Sequence, residues 1–168
     1  MKHFISRRNF LKAAGVTAAA SAMAAAVPQA SAGFLTGKDD AVTILYTNDV
    51  HTYIDNKSPK LTYAAIAAMK QGYVDEGKPV LLVDAGDHIQ GTAYGSMDDG
   101  ATIIELMNEA GYDIATLGNH EFDYGMARTK AIIKEADFPY VSCNWVDLRT
   151  GLRVLPAVKL FPAGGKWI

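Results

Sequence analysis

The sequence predicts an α/β fold built on a parallel sheet, and three observations lead there. Short apolar or β-branched runs alternate with amphipathic stretches, with little linker between them. One run, Val80-Leu81-Leu82-Val83, is apolar without a break, the pattern of a strand buried on both faces. A cluster of polar residues directly follows each of the first three runs, as expected where the strands of an open parallel sheet end at one rim.

Taken in order, Val42–Thr47 is a short β-rich run after the polar stretch 36–40. Ser58-Pro59 offers a helix start, with serine as the cap and proline at the first helical position. The helix that follows carries Leu61, Ala65, Ala68 and Met69 on one face and ends at Gly72 or Gly77. Pro79–Asp84 is the second strand. A helix over Ala101–Ala110 turns Ile103, Ile104, Met107 and Ala110 inward and stops at Gly111. Asp113–Leu117 is the third strand. A further helix, Gly125–Ala136, turns Met126, Ile132, Ile133 and Ala136 inward and leaves Arg128, Lys130 and Lys134 in solvent. Pro139–Ser142 is the fourth strand, Arg153–Phe161 reads as another, and Gly164-Gly165 reads as a hairpin turn into Lys166-Trp167-Ile168.

The 168 residues carry 16 basic and 18 acidic side chains, but the charge is unevenly spread. The first 32 residues hold Lys2, Arg7, Arg8 and Lys12 and no acid. The remainder therefore holds twelve basic against eighteen acidic residues, a net charge of −6. That balance excludes a general binder of the nucleic-acid backbone, which needs a basic face. The single cysteine excludes an intramolecular disulfide framework. Cys143 reads as a small buried apolar residue beside the fourth strand.

Ser6-Arg7-Arg8-Asn9-Phe10-Leu11-Lys12 resembles the twin-arginine export signal. Ala13–Val27, with nine alanines in the fourteen residues 13–26, follows it. Pro28 ends any helix, and Ala30-Ser31-Ala32 fits a small-x-small cleavage site. An uncleaved anchor would need about 20 apolar residues. This stretch is shorter and mostly alanine, so residues 1–32 are expected to be a cleaved signal. Residues 33–168 are then expected to be the mature part, periplasmic or otherwise exported, with no stable membrane anchor. The partner this implies is the twin-arginine export machinery.

The chemistry gathers in the three strand-end clusters: Asn48-Asp49-Val50-His51, Asp84-Ala85-Gly86-Asp87-His88, and Gly118-Asn119-His120-Glu121-Phe122-Asp123. Their convergence would bring together Asp49, His51, Asp87, Asn119 and His120, the carboxylate, amide and imidazole donors that divalent cations prefer. Asp49 and His51, two apart, can face one ion. Asp87 follows a glycine that permits a sharp turn, and its two oxygens can bridge two ions. Asn119 could complete a second ion without adding charge. Two ions about 3.5–4 Å apart support in-line hydrolysis of phosphate esters. His120 could then stabilise the phosphoryl oxygens or protonate the leaving oxygen, with Asp123 orienting its ring. Duller readings stand beside these. Asp49 and His51 could cap a loop; His88 reads as a loop histidine, Glu121 as structural at a turn, and Asp84 as an acceptor of backbone amides. Tyr94, Trp145 and Trp167 read as packing residues.

With these motifs, the chain resembles the calcineurin-like metallophosphoesterases, and within them the secreted bacterial 5′-nucleotidase and 2′,3′-cyclic-nucleotide phosphodiesterase branch. The matching text is Ile44–His51, Asp84–Thr92 and Ala115–Gly125. The resemblance implies a four-layer αββα sandwich, of which this chain supplies the N-terminal half. It implies two divalent metal ions (Zn, Mn, Co or Mg), with Asp49 and His51 on the first, Asp87 bridging and Asn119 on the second. His120 with Asp123 would be the catalytic dyad, and the substrate a nucleotide. The family's remaining ligands are histidines that come later, and no histidine follows His120. A fragment carrying at most half a metal site is therefore expected, inactive by itself, from a parent that is a nucleotide phosphohydrolase. Two alternatives remain: the related thiosulfohydrolase of periplasmic sulfur oxidation, and a metal-binding remnant without turnover.

Overall fold

The computed structural model describes residues 41–54 and 62–168. Strand β1 spans Thr43–Thr47 and pairs in parallel with β2, Val80–Asp84, in the register Thr43 to Val80 and Thr47 to Asp84. β3 (Ile114–Thr116) and β4 (Tyr140–Val141) extend the sheet in the order β1-β2-β3-β4, every pair parallel. Consecutive strands are thus neighbours, and every β-to-loop junction falls at the same edge of the sheet.

Helix α1 (Tyr63–Asp75) links β1 to β2. The expected start at Ser58-Pro59 lies outside the described residues. Among the described residues the helix opens at Tyr63, with the Thr62 hydroxyl accepting from the Ala65 amide at 3.2 Å. It runs through Gly72 and stops before Gly77, whose φ of +69° suits glycine. The inward face differs from the expected one. Tyr63 and Ile66 are buried while Ala68 and Met69 are exposed, because the helix is set rotated toward the aromatic Tyr112. Lys70, on the same face as Tyr63 and Ile66, donates to Gly111 O (2.5 Å) and Asp113 Oδ2 (2.7 Å).

A short α2, Ala93–Ser96, was not anticipated; the Thr92 hydroxyl, accepting from Tyr94 N, caps it. Helix α3 spans Ala101–Ala110 as expected and buries Ile103, Ile104, Met107 and Ala110 before Gly111 turns the chain at φ +75°. Helix α4 spans Met126–Glu135 and buries Ile132, with Thr129 alongside it; Met126 is exposed instead of inward. Arg128 is half-buried and paired in two bonds with Glu135, rather than free in solvent. The core is the β2 run with Ile103, Met107, Tyr112 and Ile132 packed upon it.

Beyond β4 the strand pattern misleads. Arg153–Phe161 forms no strand among the described residues; it contributes one isolated antiparallel bridge, Val146 to Arg153. An apolar run becomes a strand only against a partner, and Pro156 withholds an amide from any ladder. The hairpin at Gly164-Gly165 does form, joining β5 (Pro162–Ala163) to β6 (Lys166–Trp167) with both glycines at positive φ. Cys143, expected to be buried, is exposed, because Ser142 turns inward in its place. Tyr94 and Trp167 are also exposed, whereas Trp145 packs edge-on against Phe122.

Candidate metal centre

The loop after β1 is bent by three residues in the left-handed region, Asp49, His51 and Thr52, with φ of +53°, +47° and +57°. Such conformations cost free energy for non-glycine residues and persist where the surroundings over-determine them. Here the surroundings are the loop after β2. The Asp49 amide donates to Gly86 O (3.1 Å), the His51 amide to Asp87 O (3.0 Å), and the Ala85 amide to Thr47 O (2.9 Å). Asp87 itself has φ +57°.

Glycines let the third loop close on the other two. A Cβ on Gly86 would stand 2.4 Å from Gly118 N, and one on Gly118 would stand 2.2 Å from Asp87 Oδ1. A Cβ on Gly91 would meet His51 O at 2.2 Å. The resulting approach lets the His120 amide donate to Asp87 Oδ1 at 2.8 Å. It also brings the His51 and His120 rings edge to face, 5.1 Å between centroids.

One ligand atom each from His51, Asp87 and His120 lies within 4.8 Å of the others, a span that one cation can bridge. Two features of the donors fit such an ion. His51 Nδ1 lies 3.0 Å from Gln90 O, and His120 Nδ1 lies 2.7 Å from Asp123 Oδ2. Each ring thus sets Nδ1 on an oriented acceptor and turns Nε2 away from it, an arrangement that suits a metal-bound imidazole and equally a ring that faces a phosphoryl oxygen. Asp49 is exposed, with one oxygen 3.6 Å from His51 Nε2 and the other bonded to the Asn48 side-chain amide. Asn119 is exposed and begins the 3₁₀ turn His120–Phe122, with Asp123 at its end. The Asp123 hydrogen bond raises the pKa of His120 above its ordinary value; its small desolvation opposes that shift.

Glu121 supports the loops from below. It is 1% exposed. Its Oε2 accepts from the amides of Asp87 (2.8 Å) and Gly118 (2.6 Å), and its Oε1 from that of His88 (2.8 Å). A single carboxylate therefore ties the second loop to the third. The expectation that Glu121 is structural at a turn falls short of this reach, since nothing in the spacing signals a contact 34 residues away. Asp84 accepts the Gly86 amide at 2.8 Å, as expected of it, and also the Thr47 hydroxyl at 2.5 Å. His88 is wholly buried between Asp84 and the Tyr140 hydroxyl. Burial disfavours its charged form, but the Asp84 hydrogen bond and the Glu121, Asp84 and Asp87 carboxylates prevail, and its pKa is raised.

The family model for calcineurin-like phosphoesterases matches residues 42–166. The chain belongs to that family. A model of the twin-arginine translocation pathway signal sequence matches residues 5–27, so the chain carries an export signal directed to the periplasm. No helix among the described residues is long and apolar enough to cross a membrane. Among curated relatives, the snake venom 5′-nucleotidase of Gloydius brevicauda is 40% identical over 114 residues, covering 61% of this chain and 19% of its own. The Homo sapiens 5′-nucleotidase is 37% identical over 115 residues, covering 61% of this chain and 20% of its own. The chain therefore spans about a fifth of the length of the relatives it matches. Among solved structures, a 5′-nucleotidase precursor from Thermus thermophilus superposes with a TM-score of 0.65 at 30% identity, covering 75% of this chain and 27% of that one. A sulfate thiohydrolase of Thermus thermophilus gives a TM-score of 0.58 at 23% identity over 62% of this chain and 19% of its own, a likeness of fold alone. The α/β parallel sheet is thus the N-terminal part of the metallophosphoesterase architecture, as the motifs imply.

Proposed function

We propose that this chain is the N-terminal part of an exported, metal-dependent hydrolase that removes phosphate from nucleotides. The observation that carries the reading is the meeting of His51, Asp87 and His120 within 4.8 Å at the ends of three parallel strands. Asp49, His51, Asp87 and Asn119 are the residues that would hold two divalent ions, Asp87 bridging them. When bound, those ions supply charge neutralisation at phosphorus and acidify water. Asp123 keeps His120 in one ring orientation, which leaves its other nitrogen to contact a phosphoryl oxygen or to hand a proton to the leaving nucleoside oxygen. The strained turn at Asp87, held by Glu121, keeps that carboxylate pointed at the shared space before any ligand arrives. Residues 1–32 leave as a signal peptide, and the mature part begins at Gly33.

The test is hydrolysis of AMP by the full-length parent protein with Mn, Co, Zn or Mg present, before and after chelation, beside an assay on a cysteine-S-thiosulfonate carrier protein. AMP turnover that is lost on chelation, and reduced by at least about a hundredfold in Asp87→Asn, is the expected result. Turnover of the thiosulfonate carrier alone, or an undiminished Asp87→Asn, would defeat it.

A further inference from the structure

We propose that the His88 imidazole, clamped between Asp84 and Tyr140, is a positioning residue that fixes the direction in which Asp87 presents its carboxylate. The proposal rests on the reading of Asp87 as a metal ligand. Asp87 is in the left-handed region at φ +57°, a conformation that must be enforced from both sides of the residue. Glu121 holds the amide of Asp87 itself, and His120 N–H holds one carboxylate oxygen. The residue that follows, His88, is tied down by its side chain. Its Nδ1 lies 2.7 Å from Asp84 Oδ1 at the end of β2, and its Nε2 lies 2.8 Å from the Tyr140 hydroxyl on β4.

The tie continues across the sheet. Asp84 Oδ2 accepts from Thr47 on β1, and the Thr47 hydroxyl lies 2.8 Å from that of Tyr112. One largely buried polar chain, Tyr140–His88–Asp84–Thr47–Tyr112, therefore joins β4 to the second loop and to the ends of β2 and β1. Ile89, the next residue, is as fully buried as His88, so an apolar side chain is accommodated in the same loop. Burying imidazole and carboxylate costs desolvation that an apolar residue avoids, and such groups are found where a unique geometry is required. The groups facing the ring are Asp84, Glu121 (3.6 Å from Nδ1) and Tyr140. A neutral ring donating to Asp84 and accepting from Tyr140 satisfies both partners, and so does a charged ring that donates to both.

Cobalt(II) alone is the probe, titrated into the full chain by calorimetry and followed by its visible absorption, with circular dichroism of the metal-free protein as the folding control. His88→Phe should weaken cobalt binding by about 10–100-fold and change the absorption bands, as loss of a ligand's support does elsewhere. Tyr140→Phe should do the same to a smaller extent, and His88→Gln, which can still donate and accept, should recover part of the loss. Cobalt binding unchanged in Asp87→Asn overturns the metal reading and this proposal with it. Binding lost in Asp87→Asn but unchanged in affinity and spectrum in a folded His88→Phe overturns the proposal alone. Should His88→Phe not fold, Tyr140→Phe and His88→Gln decide it, and wild-type affinity and spectrum in both overturn it.

Discussion

The loops that end β1, β2 and β3 and the segment 143–161 both mix polar with apolar residues, yet the structure treats them oppositely. The three loops are held by bonds that reach far along the chain: Glu121 to the amides of Asp87 and His88, His88 to Tyr140, Asp49 and His51 to the backbone of the second loop. The later segment is held mainly by its own neighbours, such as the turn in which Asp147 accepts the amides of Arg149 and Thr150. Leu148 is 98% exposed there, and Leu152, Val158 and Leu160 are largely exposed as well. What ties the three loops together is therefore a set of polar groups with distant partners, several of them buried.

The sharpest way to break this comparison is Glu121→Ala. It leaves the amides of Asp87, His88 and Gly118 without their acceptor, and each buried orphan costs about 1–3 kcal/mol. Denaturant titration should show a loss of roughly 3 kcal/mol or more; a midpoint equal to the parent's would show that the loops do not depend on it. Gly118→Ala comes next. Its Cβ would stand 2.2 Å from Asp87 Oδ1, so that carboxylate must move. Cobalt affinity should fall about tenfold or more, as with other displaced ligand supports, and undiminished calorimetric binding would count against the proposed role of Asp87. The smallest effect is expected from Leu148→Ser in the other region. Unfolding free energy should shift by less than about 0.5 kcal/mol, because an exposed leucine has little to lose. A large loss there would mean that the segment is held by more than its neighbours.

Much of the site was legible because its parts are local. Asp-x-His in one loop, a glycine before Asp87 and Asp123 three residues after His120 each follow from spacing, and the His120–Asp123 bond at 2.7 Å is the contact that spacing suggests. Helix α3 was equally legible: its apolar stripe and its terminal glycine agree with each other and with the observed bounds. The face of α1 was not, since Ala65, Ala68 and Met69 form an apolar stripe as good as Tyr63 and Ile66, and only the neighbouring Tyr112 selects between them. The strand expected at 153–161 failed for a related reason. Its residues favour extended backbone, but a strand needs a continuous ladder, and here the pairing is scattered: the Val146–Arg153 bridge, Ser142 N donating to Pro156 O at 2.9 Å, and Phe161 exchanging backbone bonds with Ile168.

By itself, then, the sequence determined the alternation of strand and helix, the rim at which the polar clusters emerge and the export signal at the start of the chain. These depend on periodicity, turn residues and short motifs, which act over a few residues. The tertiary structure alone decided that one buried carboxylate, Glu121, grips two loops at once, and that His88 bridges β2 and β4. The long-range bonds among them join residues 33 to 52 positions apart, and no local preference of the backbone encodes which distant group will be there to meet them.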